Sequence, residues 1–190
     1  MKTAFEACIA AGGLAVFPAD TVYGLACDPE NEAAVGRLYA LKGRPPDKPA
    51  AVMFFDRELA LASLPELGAR TRGLLERLLP GAVTALVESD RFRLAGGAGT
   101  LGLRVPDVSA LAGVGRPVLQ TSANLAGGPD ARTLDEVPEP IRRGATLVLD
   151  GGELGGTPST VVDLRGYETS GEWRIVRAGA VPEAVLRSLA

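Results

Sequence analysis

Residues 3–18 read TAFEACIAAGGLAVFP, and this stretch indicates the class of fold. The Ala-rich segment 3–11 predicts a helix, which the following two glycines end. Residues 14–17 form a short apolar run that predicts a buried strand, ended by Pro18. A helix followed so closely by a buried strand is typical of a domain that packs helices onto a sheet.

The rest of the chain continues this alternation. Helices are predicted from the cap Asn31 to Leu41, from Asp56, from Pro65 to about Leu79, and from Pro182. Strands are predicted at 50–55, 82–87, 101–105, 117–121, 147–149, 160–164 and 173–176. Because strands cluster late in the chain, we expect one α/β domain over residues 1–190, with a mixed twisted sheet and antiparallel pairs among the late strands.

Composition excludes several classes of function. The 190 residues contain no histidine, which removes Ser-His-Asp triads, Cys-His pairs and HExxH zinc sites. Cys8 and Cys27 form no CxxC motif, so we expect two free thiols in a reducing cytoplasm. The net charge of −3 argues against non-specific nucleic-acid binding. Neither a signal peptide nor a membrane-spanning run is predicted.

Polar residues follow the predicted strands and helices at points where α/β proteins bind ligands. Residues 18–25 carry a hydroxyl at Thr21, and they fit either a binding loop or a turn held by Asp20. Residues 42–49 place three cations, Lys42, Arg44 and Lys48, after a helix. These cations fit either the favourable end of the helix dipole or an anion site.

Further polar clusters come later. Residues 96–102 fit GxGxxG, but they precede a strand and lack the expected acid, so a dinucleotide site is rejected. Arg104 lies inside an apolar strand and points either to solvent or into a pocket. Residues 120–124 (QTSAN) could hold a nucleotide, complete a metal's water shell or cap a turn. Arg177 follows another strand.

These clusters together offer hydroxyls, amides, cations and glycines, without a credible nucleophile and base pair. Such groups suit phosphoryl or nucleotidyl transfer, where catalysis depends on positioning and charge neutralisation. From the residues alone, the sequence therefore predicts an anion or nucleotide site in an α/β domain.

The same segments resemble the YrdC-like family of threonylcarbamoyl-AMP synthases. The pieces that carry the resemblance are FPADTVYGLACDP (17–29), YALKGRPPDKP (39–49), LPGAVT (79–84), LGLRVPD (101–107), PVLQTSANLAGGPDARTLDEV (117–137), STVVDL (159–164) and WRIVRAGAV (173–181). Each piece is weak alone, but their common order over nearly the whole chain is specific to the family.

The resemblance implies an α/β fold of YrdC-like type, an open twisted mixed sheet with flanking helices around a large cationic cavity. It implies that L-threonine, bicarbonate or CO2, and ATP with Mg²⁺ give threonylcarbamoyl-AMP and pyrophosphate, without a metal held by protein side chains alone. This product would serve threonylcarbamoylation of adenosine 37 in tRNA, completed by a separate transferase complex in the cytoplasm. Weak direct contact with tRNA is a further expectation.

The resemblance also assigns roles to individual residues. Those implied as catalytic are Lys42, Arg44, Ser122 and Asn124. Those implied to bind threonine are Thr21, Arg104, Thr121 and Ser159. Those implied to bind ATP are Arg44, Lys48, Thr100, Ser122 and Arg177. On this basis we expect either Lys42→Ala or Arg44→Ala to slow pyrophosphate release by orders of magnitude without unfolding the protein.

The chain departs from the family pattern at Met53, where many relatives have a histidine, and at residues 177–179, where RAG replaces RPG. Two alternatives remain. A YrdC-like paralogue would bind nucleotide without threonine-dependent synthesis, and an RNA-binding module would use the concave basic surface. The acidic pI near 5.1 and the 5% aromatic content weigh against the RNA-binding alternative.

Overall fold

Strands and helices alternate along the chain in the computed structural model, which describes residues 1–45, 48–96 and 99–189. The strands are β1 (Ala15–Pro18), β2 (Tyr23–Cys27), β3 (Ala51–Met53), β4 (Val83–Glu88), β5 (Thr100–Arg104), β6 (Val118–Ser122), β7 (Leu147–Val148), β8 (Thr160–Asp163) and β9 (Arg174–Arg177). The helices are α1 (Lys2–Ala10), α2 (Glu32–Lys42), α3 (Arg57–Ala62), α4 (Ala69–Leu78), α5 (Glu139–Gly144), α6 (Tyr167–Ser170) and α7 (Glu183–Leu189).

All of these strands belong to one mixed sheet in the order β7-β1-β2-β6-β3-β5-β4-β8-β9. Three pairs are parallel, namely β1 with β7, β3 with β5 and β4 with β8, and the other neighbours are antiparallel. The predicted mixed α/β sheet is therefore confirmed.

The sheet separates two apolar clusters, because successive side chains of a strand point to opposite faces. Val16 and Val52 belong to the larger cluster, which includes Leu38 of α2. Phe17 and Met53, each one residue further on, belong to a smaller cluster with Phe5 of α1. Helices consequently pack against both faces of the sheet. The face that carries the smaller cluster is called the second face below.

Strand β2 was not predicted, because residues 18–25 resemble a polar loop. It pairs with β1 so that Gly24 lies opposite Phe17. A Cβ atom at position 24 would come within 2.7 Å of the Phe17 ring, which is fully buried. The glycine that made this stretch resemble a turn therefore makes room for a core aromatic side chain.

Two helices begin at a capping residue that is their neighbour in the sequence, and a third is capped by a residue far away in the chain. Asn31 and Asp56 accept hydrogen bonds from Ala34 N and Leu59 N, as their sequence positions predict. The helix predicted from Pro65 is wrong at its start, because α4 begins only at Ala69. The Glu168 carboxylate, far away in the chain, accepts from the first-turn N–H of Thr71 and so caps this helix.

The expected antiparallel pairing of late strands is correct for β8 with β9 only. Strand β7 instead pairs in parallel with β1, and β8 pairs in parallel with β4. Helices α5 and α6 were also missed, being short. Within the described ranges, every helix is too short or too polar to cross a membrane.

Candidate functional site

A cavity of about 520 Å³ lies against the second face of the sheet. Its floor is formed by alternate residues of neighbouring strands, whereas the residues between them enter the larger apolar cluster. On β5, for example, Gly102 and Arg104 face the cavity, and Leu101 and Leu103 are in the core. The alternation that builds the core thus places the polar residues of the same strands on one surface.

The cavity lining is strongly cationic. It contains four arginines and, among the described residues, a single carboxylate, that of Asp130. The arginines come from different elements and are Arg44, Arg104, Arg165 and Arg177. Because guanidinium groups bind carboxylates and phosphates in a planar, two-pronged geometry, this lining fits a ligand with several negative charges.

Arg104 is the deepest of these cations, with 4% of its surface exposed. Its Nη2 atom donates to the Asp20 carboxylate and, over 2.8 Å, to Thr21 Oγ1. Its Nε atom is buried and has no hydrogen-bond partner among the described residues. Burial lowers the pKa of Arg104, and the neighbouring Asp20 opposes that shift. The guanidinium is therefore held in place from one side and retains an unused donor.

Lys42 lies behind the cavity wall and does not line it. Its ammonium donates to Ser122 O at 2.6 Å, to Asn124 O at 2.8 Å and to Asn124 Oδ1. An ammonium has three hydrogens, so these bonds use all of its donors. Burial, and secondarily the charge of Arg44, lowers the pKa of Lys42 to about 8. Its contacts join the end of α2 to the turn that follows β6.

Arg44, two residues after Lys42, faces the cavity instead. Gly43 adopts a left-handed conformation with φ of 64° and ends α2, which turns the chain between the two cations. The Arg44 guanidinium donates to the carbonyl oxygens of Lys48 and Pro49 and lies over the Tyr39 ring. Ser122 also lines the cavity, and its hydroxyl donates to Asn124 Oδ1 over 2.8 Å.

The structure brings together most of the residues that the sequence singled out. Those that line the cavity are Arg44, Thr100, Arg104, Thr121, Ser122, Ser159 and Arg177. Thr21 reaches it only through its bond to Arg104, and Asn124 and Lys42 support it from behind. Lys48 is absent from the lining, although its carbonyl binds Arg44. Met53 is fully buried in the smaller apolar cluster.

Among the described residues, three polar lining residues were missed by sequence reasoning: Thr84, Asp130 and Arg165. A signal existed for Thr84, because it lies within a quoted motif on a predicted strand. Arg165 had no such signal, because the sequence does not indicate that Asp163 holds it. The Arg165 guanidinium donates two parallel hydrogen bonds of 2.8 Å to the Asp163 carboxylate. The same bonds keep the pKa of Asp163 well below its ordinary value.

A larger, more open groove of about 1130 Å³ adjoins the cavity and shares Thr100 and Arg165 with it. Of the residues that the structure describes, five carboxylates and three arginines line this groove, so its charge is less suited to a polyanion than that of the cavity. In the part of the chain that the structure describes, no group of three or more acidic or cysteine side chains could hold a metal ion.

The chain is similar to known proteins over most of its length. Residues 7–179 match the Sua5_yciO_yrdC family model, described as "Telomere recombination". The chain is 38% identical to the threonylcarbamoyl-AMP synthase of Chromohalobacter salexigens, over 83% of this chain and 89% of that protein.

Two solved structures are similar over nearly the whole chain. One is P. abyssi Sua5 complexed with L-threonine, with a TM-score of 0.87, 29% identity and coverage of 98% of this chain. The other is E. coli YciO, with a TM-score of 0.78, 27% identity and coverage of 94% of this chain and 89% of that one. The match spans only 56% of the P. abyssi chain.

Proposed function

The chain belongs to the Sua5/YciO/YrdC family, and we propose that it makes threonylcarbamoyl-AMP and pyrophosphate from L-threonine, bicarbonate or CO2, and ATP. This is a nucleotidyl transfer to a carbamate. The observation that carries the proposal is a cavity whose described lining contains four arginines, one of them, Arg104, buried and held by Asp20 and Thr21. Relatives with the matching name and a relative holding L-threonine support it.

Arg104 is the proposed partner of the threonine carboxylate. Asp20 and Thr21 hold its Nη2 atom, so the guanidinium keeps a fixed orientation at the cavity wall. Thr121 and Ser159 line the same cavity and offer hydroxyls to the amino acid. A charge-assisted bond formed in a buried site is stronger than the same bond in water, which favours tight selection of a carboxylate.

Arg44, Thr100, Ser122 and Arg177 are the proposed ATP contacts, since all four line the cavity. Among the described residues, Arg44 and Arg177 bind carbonyl and hydroxyl oxygens and no carboxylate. Lys48 is a further proposed ATP contact. Its carbonyl oxygen accepts a hydrogen bond from Arg44, so both residues belong to one loop next to the cavity.

Lys42 and Asn124 are proposed to act as positioning residues. Lys42 has no donor left for a phosphate, and its bonds fix the backbone on either side of Ala123. The two residues of each motif therefore have different proposed roles. Arg44 and Ser122 contact the ligand, and Lys42 and Asn124 fix the positions of Arg44 and Ser122.

Mg²⁺ is proposed to enter with ATP. Mg²⁺ in nucleotide sites is usually held by one or two carboxylates together with substrate phosphates and water. The donor set fits this limited role, because Asp130 is the carboxylate that lines the cavity. The ion would supply positive charge to the phosphate chain.

The proposed reaction needs no side-chain nucleophile. The threonine amine adds to CO2 and loses a proton, and the resulting carbamate oxygen displaces pyrophosphate from the α-phosphorus of ATP. Carbamate and triphosphate are both anions and repel each other in water. The arginines of the cavity hold them together and stabilise the charge of the leaving pyrophosphate.

The product would pass to a threonylcarbamoyl transferase complex acting on tRNA, which we place in the cytoplasm. Cys8 and Cys27 are both buried free thiols, as a reducing compartment permits. Direct contact of this chain with tRNA stays a prediction.

Pyrophosphate release from ATP and Mg²⁺ with bicarbonate tests the proposal. We expect release to require L-threonine, to be much slower with L-serine, and to fall at least 100-fold in Arg44→Ala. Arg143→Ala is the matched control, because it removes the same charge from an exposed helix position, where Arg143 pairs with Glu139. ATP binding without threonine-dependent release would instead favour the nucleotide-binding paralogue.

A further inference from the structure

Two buried hydroxyls meet on the cavity wall next to Arg104. Thr84 lies on β4 directly opposite Arg104 of β5, and Ser159 immediately precedes β8. Their oxygen atoms are 2.8 Å apart, and both residues line the cavity. Only 7% of Thr84 and 1% of Ser159 is exposed. They form a fixed hydroxyl pair rather than two mobile surface groups.

The hydrogens of this pair can be counted. Two hydroxyls carry two hydrogens, and one of these makes the bond between them. Arg177 Nη2 donates to Ser159 Oγ at 3.3 Å and to Ser159 O at 2.7 Å, which supplies a third hydrogen but no acceptor. Among the described residues, the second hydroxyl hydrogen has no acceptor. A buried donor is costly to leave unpaired, so its partner belongs in the cavity.

The chemistry of the pair points to a neutral ligand group. Carboxylates and phosphates have the arginines of the cavity as stronger partners. A hydroxyl pair can both donate to and accept from another hydroxyl, and Val161, the register partner of Thr84, gives an apolar neighbour in the same lining. A branched side chain that carries one hydroxyl and one methyl group has both features.

We propose that Thr84, together with Ser159, binds the side-chain hydroxyl of the amino-acid substrate and so selects threonine over amino acids that lack this hydroxyl. The inference rests on the proposed function and adds Thr84 as a specificity-determining residue. Sites built to hydrogen-bond a substrate hydroxyl reject the analogue without it strongly, because the polar groups of the site are then left unpaired.

The test compares kcat/KM for L-threonine and L-2-aminobutyrate, which differ only by the hydroxyl. Wild-type enzyme should strongly prefer L-threonine. Thr84→Val, which keeps the shape and removes the hydroxyl, should lower kcat/KM for L-threonine about 10- to 100-fold and change that for L-2-aminobutyrate less than about twofold. Thr84→Ser should retain most of the preference, because it keeps the hydroxyl.

Thr160→Val is the matched control. The Thr160 hydroxyl is fully buried but bonds Val181 O at 2.8 Å and lies outside the cavity lining. Its loss should affect both substrates alike. Ser159→Ala gives a second route to the same readout should Thr84→Val not fold, and it should also reduce the preference.

Three outcomes separate the possibilities. Loss of preference in Thr84→Val with retained L-2-aminobutyrate activity supports the inference. An equal fall for both substrates, as in the Thr160 control, or an unchanged preference overturns it. If the wild-type chain releases no pyrophosphate with L-threonine at all, the proposed function fails and this inference fails with it.

Discussion

Replacing Lys42 by Met should destabilise the fold, and not only remove activity. The ammonium makes three hydrogen bonds to oxygens of Ser122 and Asn124, and 3% of the residue is exposed. A hydrogen bond to a charged group contributes about 1.5–3 kcal/mol to stability, so the three together contribute at least about 4.5 kcal/mol. Relief of the buried charge offsets about half of this sum. We therefore expect a loss of about 2–3 kcal/mol in the free energy of unfolding.

Urea and thermal unfolding followed by circular dichroism measure this loss. For a chain of this length, about 2–4 °C per kcal/mol predicts a fall in Tm of roughly 5–10 °C. Arg44→Met is the control, because its bonds are at exposed positions and its removal should cost less than about 1 kcal/mol. A Lys42→Met protein as stable as wild type, yet unable to bind ATP, would show that Lys42 contacts phosphate and that the positioning role is wrong.

The difference in stability between wild type and Lys42→Met should depend on pH. Burial lowers the pKa of Lys42 to about 8, below its unfolded value. Between these two values the unfolded chain binds more protons than the folded chain, so the contribution of Lys42 to stability rises with pH. Below about pH 8 the cost of burying the charge is fully present. The stability difference between wild type and Lys42→Met should therefore widen above pH 8, and a constant difference would contradict the assignment.

Two further predictions test the core. Gly24→Ala should cost about 1–3 kcal/mol in urea unfolding, because its Cβ would come within 2.7 Å of the buried Phe17 ring. Gly36→Ala in α2, where nothing lies within 4 Å of the new Cβ, should instead stabilise by about 0.5–1 kcal/mol, and equal effects would refute the packing argument. Burial, with the charge of Asp28, raises the pKa of Cys27 to about 12, so this thiol should resist iodoacetamide at pH 8 until urea unfolds the chain. Rapid labelling of the native protein would show that Cys27 is accessible.

Sequence reasoning succeeded where the cause of a structure is local. The Asn31 and Asp56 caps bond to N–H groups three residues ahead, so their helices begin where the sequence indicates. It failed where the cause is distant. The start of α4 depends on Glu168, 97 residues from Thr71, and no window of nearby residues contains it. Strand β2 was missed although its partner Phe17 lies only seven residues before Gly24, because the glycine and the polar residues around it resemble a turn.

The same distinction applies to the site. The residue types were visible in the sequence, and strand alternation brings most of them to one face. Which cation of the KxR motif reaches the cavity was not visible, because it depends on the left-handed turn at Gly43 and on acceptors some 80 residues away. Spacing alone made Lys42 and Arg44 equivalent, whereas the fold gives them opposite surroundings.

That division has a physical reason. A cation that must bind a phosphate chain needs unused donors, and one that must hold a turn needs all of its donors engaged. Lys42 meets the second requirement by giving its hydrogens to three protein oxygens. Arg44 has five N–H donors in a planar fork, so it can hold its own loop through two carbonyls and still present N–H groups to a ligand. An exchange of the two residue types would therefore fail at both positions, since lysine at 44 would lose the fork and arginine at 42 would overfill a buried site built around a single ammonium.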